Sequence, residues 1–237
     1  MNGLSFWEYF KQQYKLWNQV FSGEKFGNIQ YFRKIPSETY VKYPPHETFH
    51  GKRVLNIGCG RCVYRTSNVV NTDLQKGDGV NIILDLSQPP FPFDTNEFDI
   101  ILANHVLEHV PNWWECFKEL ARILKPGGKM EVWIPPLSSD SSFTYRDHIN
   151  RIGPCSFAGI DGCSGRNTTN LTAREDYANF NFVDDLRLLG YQQRPILKWW
   201  CWFAPEPVLN WMSEHLRNII SEEGYLFTKK EKKNVSS

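Results

Sequence analysis

The sequence predicts an α/β protein with a doubly wound, mostly parallel sheet. Several short runs are dense in Val, Ile and Leu, which is typical of strands that are covered on both faces. One of these runs, Val54–Ile57, ends in a Gly58-Cys59-Gly60 turn, through which a backbone can approach a nucleotide-like ligand closely. The 237 residues, 41% hydrophobic and 22% charged, have the length and composition of one globular domain with additional segments.

The hydrophobic patterns predict seven strands, at 53–57, 68–72, 80–84, 98–103, 129–134, 191–199 and 225–230. Helices are predicted at 112–124, 180–189 and 207–220. Pro111 precedes the first of these helices, and Gly127-Gly128 is expected to end it in the left-handed conformation.

The first two crossovers of the predicted sheet are unusually short. Ten residues separate Ile57 from Asn68, which leaves room for about one helical turn. Seven residues separate Thr72 from Val80, so the second connection is expected to be a bare loop.

Two segments extend the predicted domain, which spans 52–237. Residues 1–51 are expected to form an amphipathic helix and a connector, which act either as a packing element or as a lid over a ligand cleft. Residues 137–179 form a polar insertion with little periodicity, and a segment of this kind is more often functional than a plain connection.

Further motifs follow the glycine turn in a fixed order. Asp73 and Asp85 each come after an apolar run, and Phe98–His105 and Leu124–Gly128 follow. This set resembles the class I S-adenosylmethionine-dependent methyltransferases, in particular the methyltransferase type 11-like group in a compressed form. The resemblance covers about residues 52 to 136. It implies a Rossmann-like sheet of strand order 3-2-1-4-5-7-6 with a reversed last strand.

The resemblance also implies the cofactor, S-adenosylmethionine, which leaves as S-adenosylhomocysteine. Gly58 and Gly60 would pass close to its amino acid end, Asp73 would accept hydrogen bonds from the ribose hydroxyls, and Asp85 from the adenine amino group. The complete expected set of cofactor-binding residues is Asn56, Gly58, Cys59, Gly60, Asp73, Leu74, Asp85, Leu86, Asn104 and His105. Asn56 stands where many relatives carry a carboxylate.

Two histidines are candidate catalytic residues. His105 lies in the segment Asn104–Val110, which is similar to the part of the family that lies beside the methyl group, and it is read either as a general base or as a loop-positioning residue. His148 lies in the insertion and is read either as a substrate or base residue or as loop structure. His105 and His109 could share one helix face, but no metal site is expected, because further ligands are not evident.

The sequence also limits the partners. Val63 stands where dinucleotide-binding dehydrogenases carry a third glycine, which argues against NAD. The net charge of +1 argues against nucleic acid. No secretory signal or membrane-spanning run is apparent, and Cys59-x-x-Cys62 is read as reduced thiols, so a cytoplasmic protein is expected. The oligomeric state cannot be read from the sequence.

The predicted function is methyl transfer to an oxygen or nitrogen nucleophile of a small molecule, with sugar- or lipid-linked acceptors included. The aromatic-rich ends and the polar insertion suit such an acceptor. Two alternatives stay open. One is a non-catalytic cofactor-binding scaffold or interaction protein with the same fold. The other is a peripheral membrane or assembly protein that uses the aromatic run at 199–203.

Overall fold

The computed structural model describes residues 43–137, 139–157, 160, 183, 185–195 and 220–231. The predicted N-terminal helix, all but the last residue of the helix predicted at 207–220, and about half of the insertion lie outside these residues. Seven strands form one sheet. They are β1 (Val54–Ile57), β2 (Val69–Asp73), β3 (Ile82–Ile83), β4 (Phe98–Asn104), β5 (Leu124–Ile134), β6 (Leu186–Pro195) and β7 (Ile220–Lys229). The helices are α1 (Trp113–Ile123) and α2 (Ser141–Thr144), with 3₁₀ turns at His46–Phe49, Leu107–His109 and Pro154–Phe157.

The strand order is β3-β2-β1-β4-β5-β7-β6, which confirms the predicted topology. β1 to β5 are mutually parallel, whereas β7 runs antiparallel to both of its neighbours. The parallel strands therefore end at a common edge of the sheet, which is where open α/β sheets bind ligands.

α1 covers one face of the sheet with an aromatic core. Phe117 is fully buried, and its ring lies 5.4 Å from Phe157 and 5.3 Å from Phe227. Trp113 and Trp114 extend this cluster along the helix. The contacts join α1, the 3₁₀ turn Pro154–Phe157 and β7 into one core.

The end of α1 differs from the prediction. The helix ends at Ile123, and β5 begins at once at Leu124, so Gly127 and Gly128 lie within a strand rather than at a helix end. Pairing jumps from Phe98↔Leu124 to Ile100↔Lys129, which marks a bulge. Gly127 has a φ of 76°, so the left-handed conformation serves the bulge and not the helix.

The helix predicted at 180–189 is wrong for residues 186–189, which belong to β6. Leu186 and Leu188 are buried and the intervening Arg187 is exposed, which is the two-residue alternation of a strand. Pairing with β7 begins at Leu186↔Lys229 and shifts between Leu188 and Gly190. Gly190 therefore lies at a strand irregularity, whereas the sequence predicted a helix end.

The first crossover contains turns and no helix across residues 58–68, all of which are described. Two buried amides support it. Asn56 donates to the Cys62 carbonyl at 2.8 Å and to Asn71 Oδ1 at 3.0 Å. Asn71 Oδ1 also accepts from the Tyr64 amide, and its Nδ2 donates to the Tyr64 carbonyl. These bonds satisfy backbone groups that a helix would otherwise have satisfied internally.

β5 carries a half-buried carboxyl group, Glu131, one of whose oxygens is buried without a hydrogen-bond partner among the described residues. Burial raises its pKa to about 7. The folded-state pKa lies above that of the unfolded chain, so this residue's contribution to stability is greatest in acid and is lost as pH rises toward 7. The difference corresponds to about 3 kcal/mol.

We therefore expect Glu131→Gln to change the pH dependence of stability. The unfolding free energy of the wild type, minus that of the variant, should fall by about 3 kcal/mol between pH 4.5 and pH 7.5. Urea unfolding across this range measures the difference in unfolding free energy between the wild type and the variant. The test is how this difference changes with pH, because the new amide can shift it by a constant amount at every pH. Glu115→Gln on the exposed side of α1 is the control. A flat difference for Glu131→Gln would contradict the prediction.

Candidate active site at the carboxyl edge of the sheet

The turn after β1 forms the floor of the candidate site. Gly58 and Gly60 have φ values of 54° and 50°, in the left-handed region that favours glycine. A Cβ on Gly58 would lie 2.3 Å from Val106 Cγ2, whereas a Cβ on Gly60 would meet nothing within 4 Å. Gly58 thus permits close packing beneath the turn, and Gly60 leaves open space above it.

Asp73 ends β2 beside this turn. Its Oδ2 accepts a hydrogen bond of 2.8 Å from the Gly60 amide, and its Oδ1 accepts one of 3.0 Å from Gln75. Each carboxylate oxygen can accept further hydrogen bonds, because it has more than one lone-pair site. The arrangement places a charged acceptor at the open end of the glycine turn.

Four other predicted cofactor residues differ in their surroundings. Leu74 is 63% exposed, whereas Leu86 is buried in the core. Asp85 is exposed, and its Oδ1 accepts hydrogen bonds from the amide and the hydroxyl of Ser87, which lower its pKa. Asn56 is 1% exposed and bound to the first crossover, so its side chain supports the turn from below.

Cys59 is buried within the turn, and Cys62 is exposed. Burial, together with the charge of Asp73, raises the pKa of the Cys59 thiol. A raised pKa keeps the thiol protonated and therefore a weak nucleophile. The pair is free rather than disulfide-bonded, as the sequence predicted.

The end of β4 supplies the next two residues. Asn104 is 8% exposed, and neither its Oδ1 nor its Nδ2 has a hydrogen-bond partner among the described residues. Buried amides are normally hydrogen-bonded, so unpaired ones indicate a missing ligand or water. His105 follows with a φ of 50°, an uncommon conformation for a residue other than glycine.

The His105 ring lies between two carboxylates. Its Nδ1 is 3.2 Å from Glu108 Oε1, and its Nε2 is 3.1 Å from Glu222 Oε1. Glu108 is 1% exposed and follows within one turn, whereas Glu222 comes from β7. Both ring nitrogens therefore face carboxylate oxygens, which can accept a hydrogen bond from whichever nitrogen carries a proton.

His109 and His148 form a separate pair. The sequence allowed His105 and His109 to share a helix face, but only the short turn Leu107–His109 forms here. The His109 ring instead lies 4.8 Å from the His148 ring, and its Nδ1 is 3.0 Å from the Asp147 carbonyl. Glu108, which contacts His105, also lies within 4.8 Å of this pair, so it links the two candidate catalytic histidines.

Glu108 and Glu222 are site residues that sequence reasoning missed. Glu108 lies inside the segment Asn104–Val110, and an acidic residue between two histidines of that segment was a usable signal. Glu222 has no local signal, because it meets His105 from 117 positions along the chain. Its segment was moreover expected to lie between a helix and a strand.

Part of the chain is similar to a known protein family. Residues 55–132, which run from β1 to β5, match the family model described as a methyltransferase domain. This segment, about a third of the chain, is similar to a methyltransferase domain. The sheet order agrees with this assignment, and the resemblance deduced from the sequence is confirmed.

Relatives with curated names match shorter segments. The chain is 33% identical over 98 residues to the cycloartenol-C-24-methyltransferase of Arabidopsis thaliana, covering 32% of this chain and 29% of that protein. It is 36% identical over 64 residues to the demethylmenaquinone methyltransferase of Staphylococcus carnosus strain TM300, covering 27% and 23%. These matches thus span less than a third of the relatives' length.

A solved S-adenosylmethionine-dependent methyltransferase from Mesorhizobium loti aligns with a TM-score of 0.46 at 12% identity, covering 79% of this chain and 94% of that one.

Among the described residues, no helix has both the length and the apolar character needed to cross a membrane.

The cofactor of such a domain is S-adenosylmethionine, and the described residues fit it. Gly60 borders open space, and the Asp73 carboxylate lies at the edge of that space. Leu74 and Ile83 present apolar side chains, 63% and 60% exposed, at the ends of β2 and β3. The unpaired amide of Asn104 lies at the end of β4. A ribose and an adenine ring require free space beside the backbone, an acidic hydrogen-bond acceptor and apolar side chains.

Proposed function

We propose that the protein transfers a methyl group from S-adenosylmethionine to an oxygen or nitrogen nucleophile of a small molecule. The observation that carries the proposal is the turn at Gly58 and Gly60 with Asp73 beside it. Left-handed glycines open the backbone, and the carboxylate of Asp73 is already fixed to the Gly60 amide. A site that is built before its ligand arrives loses less entropy on binding.

In this proposal Asp73 accepts hydrogen bonds from the ribose hydroxyls, and Leu74 packs against the nucleoside. Asp85 remains the candidate acceptor for the adenine amino group, because it is exposed and its Oδ2 is not used in the bonds with Ser87. Leu86 is buried, so it would contribute by packing beneath the position of the adenine ring. Asn56 and Cys59 would hold the turn in place.

The bound cofactor supplies an electrophilic methyl on a sulfonium, and the residues of the chain position the acceptor for in-line displacement. Asn104 and His105 lie where β4 ends, at the place where the methyl is expected. We assign His105 a positioning role, because its two ring nitrogens are directed to Glu108 and Glu222. A general base has to direct a ring nitrogen at the acceptor, whereas both nitrogens of His105 face carboxylates.

The segment after β5 supports a small, partly apolar acceptor. Phe143, Tyr145 and Ile149 are 42%, 60% and 54% exposed, and Leu137 is 42% exposed. Exposed apolar side chains in one segment indicate a binding surface more often than a plain connection. The two relatives described above are named for small molecules, cycloartenol and demethylmenaquinone. These names support a small acceptor and not the choice of oxygen or nitrogen, because the first names a carbon atom, C-24.

The test is calorimetric binding of S-adenosylmethionine and S-adenosylhomocysteine to the wild type and to Asp73→Asn. The amide can still accept from Gly60, so the turn should persist, but the charge-assisted bonds to the ribose are lost. Such bonds are worth about 1.5–3 kcal/mol, so affinity should fall at least about tenfold.

Asp78→Asn is the matched control, because Asp78 lies in the next loop and pairs with Arg65 at the surface. Equal affinity in the wild type and Asp73→Asn would refute the assigned role of Asp73. Tight binding without methyl transfer to any acceptor in a broad screen would favour the scaffold alternative. Absence of binding to the wild type would overturn the proposed function.

A further inference from the structure

A cluster of three potential metal ligands lies next to the His105 network. Glu108, His109 and His148 each offer one ligand atom, and these atoms all lie within 4.8 Å of one another. We propose that this cluster binds a divalent first-row transition metal ion, with two imidazoles and one carboxylate as ligands. Such a set holds zinc, with water in a further position, or ferrous iron.

The tertiary fold builds the cluster. Glu108 and His109 lie in the 3₁₀ turn that follows β4, and His148 comes from the segment after α2. Asn150 fixes that segment to the turn: its amide donates to the Glu108 carbonyl at 3.0 Å, and its side chain donates to the Val110 carbonyl. These bonds hold His148 beside His109, with ring centroids 4.8 Å apart.

Two atoms of the cluster are buried and have no partner among the described residues. They are Oε2 of Glu108, whose side chain is 1% exposed, and Nδ1 of His148. Buried side-chain polar atoms are nearly always hydrogen-bonded, so two unpaired ones need an explanation. A carboxylate oxygen and an imidazole nitrogen are both common metal ligands, and a bound ion would satisfy both atoms. These orphaned atoms are the independent observation that separates the cluster from a chance grouping of polar side chains.

The remaining contacts resemble the outer shell of a metal site. Nδ1 of His109 lies 3.0 Å from the Asp147 carbonyl and 3.3 Å from its carboxylate, which favours a proton on Nδ1 and leaves the lone pair on Nε2. The other oxygen of Glu108 contacts His105. Histidine ligands of metals commonly donate their second nitrogen to a carbonyl or carboxylate in this way.

The spacing requires a modest closure on binding. Metal–ligand bonds of about 2.1 Å place ligand atoms about 3.4 Å apart in a tetrahedral site. The ligand atoms, which lie within 4.8 Å of one another, therefore have to approach by up to about 1.4 Å. His109 is 34% exposed at its side chain, so it has room to rotate. The exposed side of the cluster leaves a position for water or for an acceptor group.

The experiment is a titration of the metal-stripped full chain with Co²⁺, followed by visible absorption, and with Zn²⁺ in competition. We expect one ion per chain and visible bands of a four- or five-coordinate site. His148→Ala and His109→Ala should each weaken binding at least about tenfold. Even the loss of a residue that only hydrogen-bonds to a metal ligand weakens binding by about this factor. His46→Ala, which removes an exposed histidine far along the chain, should bind as the wild type does.

Glu108→Gln is the third variant. If burial makes it unfold, which circular dichroism detects, the two histidine variants carry the test. Co²⁺ affinity that is unchanged in His148→Ala would overturn the proposal, as would the absence of saturable binding. A strong near-ultraviolet thiolate band would place the ion on cysteine residues and would overturn it as well. None of these measurements needs S-adenosylmethionine, so the metal site and the methyltransferase activity can fail separately.

Discussion

Gly58→Ala is expected to remove measurable binding of S-adenosylmethionine and to destabilise the fold. The new Cβ would lie 2.3 Å from Val106 Cγ2 and 2.8 Å from Val106 Cβ, so the turn or the segment after β4 has to move. The left-handed φ adds about 1–2 kcal/mol, and overpacking adds about 1–3 kcal/mol. We therefore expect a loss of about 2–5 kcal/mol in the unfolding free energy. Calorimetry and urea unfolding measure the two effects.

Gly60→Ala is the matched control, because its φ is 50° but a Cβ would meet nothing within 4 Å. It should lose only the conformational part, about 1–2 kcal/mol. Adding Val106→Ala to Gly58→Ala removes the nearest clashing atom and should restore part of the stability. Wild-type affinity in Gly58→Ala would show that the turn does not form the cofactor site.

Phe117→Ala is expected to destabilise the fold strongly. The side chain is fully buried, and its ring contacts Trp113, Trp114, Phe157 and Phe227 across three elements. Truncation of a buried phenylalanine costs about 3–5 kcal/mol, because apolar burial is lost and a cavity remains. Urea unfolding followed by far-ultraviolet circular dichroism measures the loss.

Phe143→Ala is the control for Phe117→Ala. Phe143 is 42% exposed, and its ring lies under the Arg151 guanidinium at 4.5 Å. An exposed cation–π contact is worth about 0.5–1 kcal/mol, so the control should lose no more than this. Equal losses in the two variants would contradict the central position that the structure gives to Phe117.

The sequence predicted the parts of the sheet that depend on local patterns. β1 and β4 are dense in apolar residues and lie within a residue of their predicted bounds. The strand order followed from the family resemblance, which the match over residues 55–132 supports. The start of β6 was missed, because Val183, Leu186 and Leu189 recur at three-residue steps, which fits one face of a helix. Pairing with the distant β7 decides in favour of the strand.

Some residues of the candidate site could be predicted from the sequence, and others could not. Gly58, Gly60 and Asp73 are adjacent to recognisable strands, so their grouping at one sheet edge could be predicted. Glu222 could not, because its contact with His105 depends on where β7 enters the sheet. The approach of His148 to His109 likewise depends on the tertiary contacts of Asn150 and not on any spacing in the sequence.

The position of β7 also constrains how the chain acquires its structure. β7 follows β6 in the chain but lies between β5 and β6 in the sheet, so β6 has no partner until β7 has been synthesised. Until then the long β5 edge presents unpaired amides and carbonyls to any passing strand. Translation releases about 5–20 residues per second, so this exposure lasts for seconds on each nascent chain. Truncation before Ile220 would make the open edge permanent, and the product would be expected to aggregate.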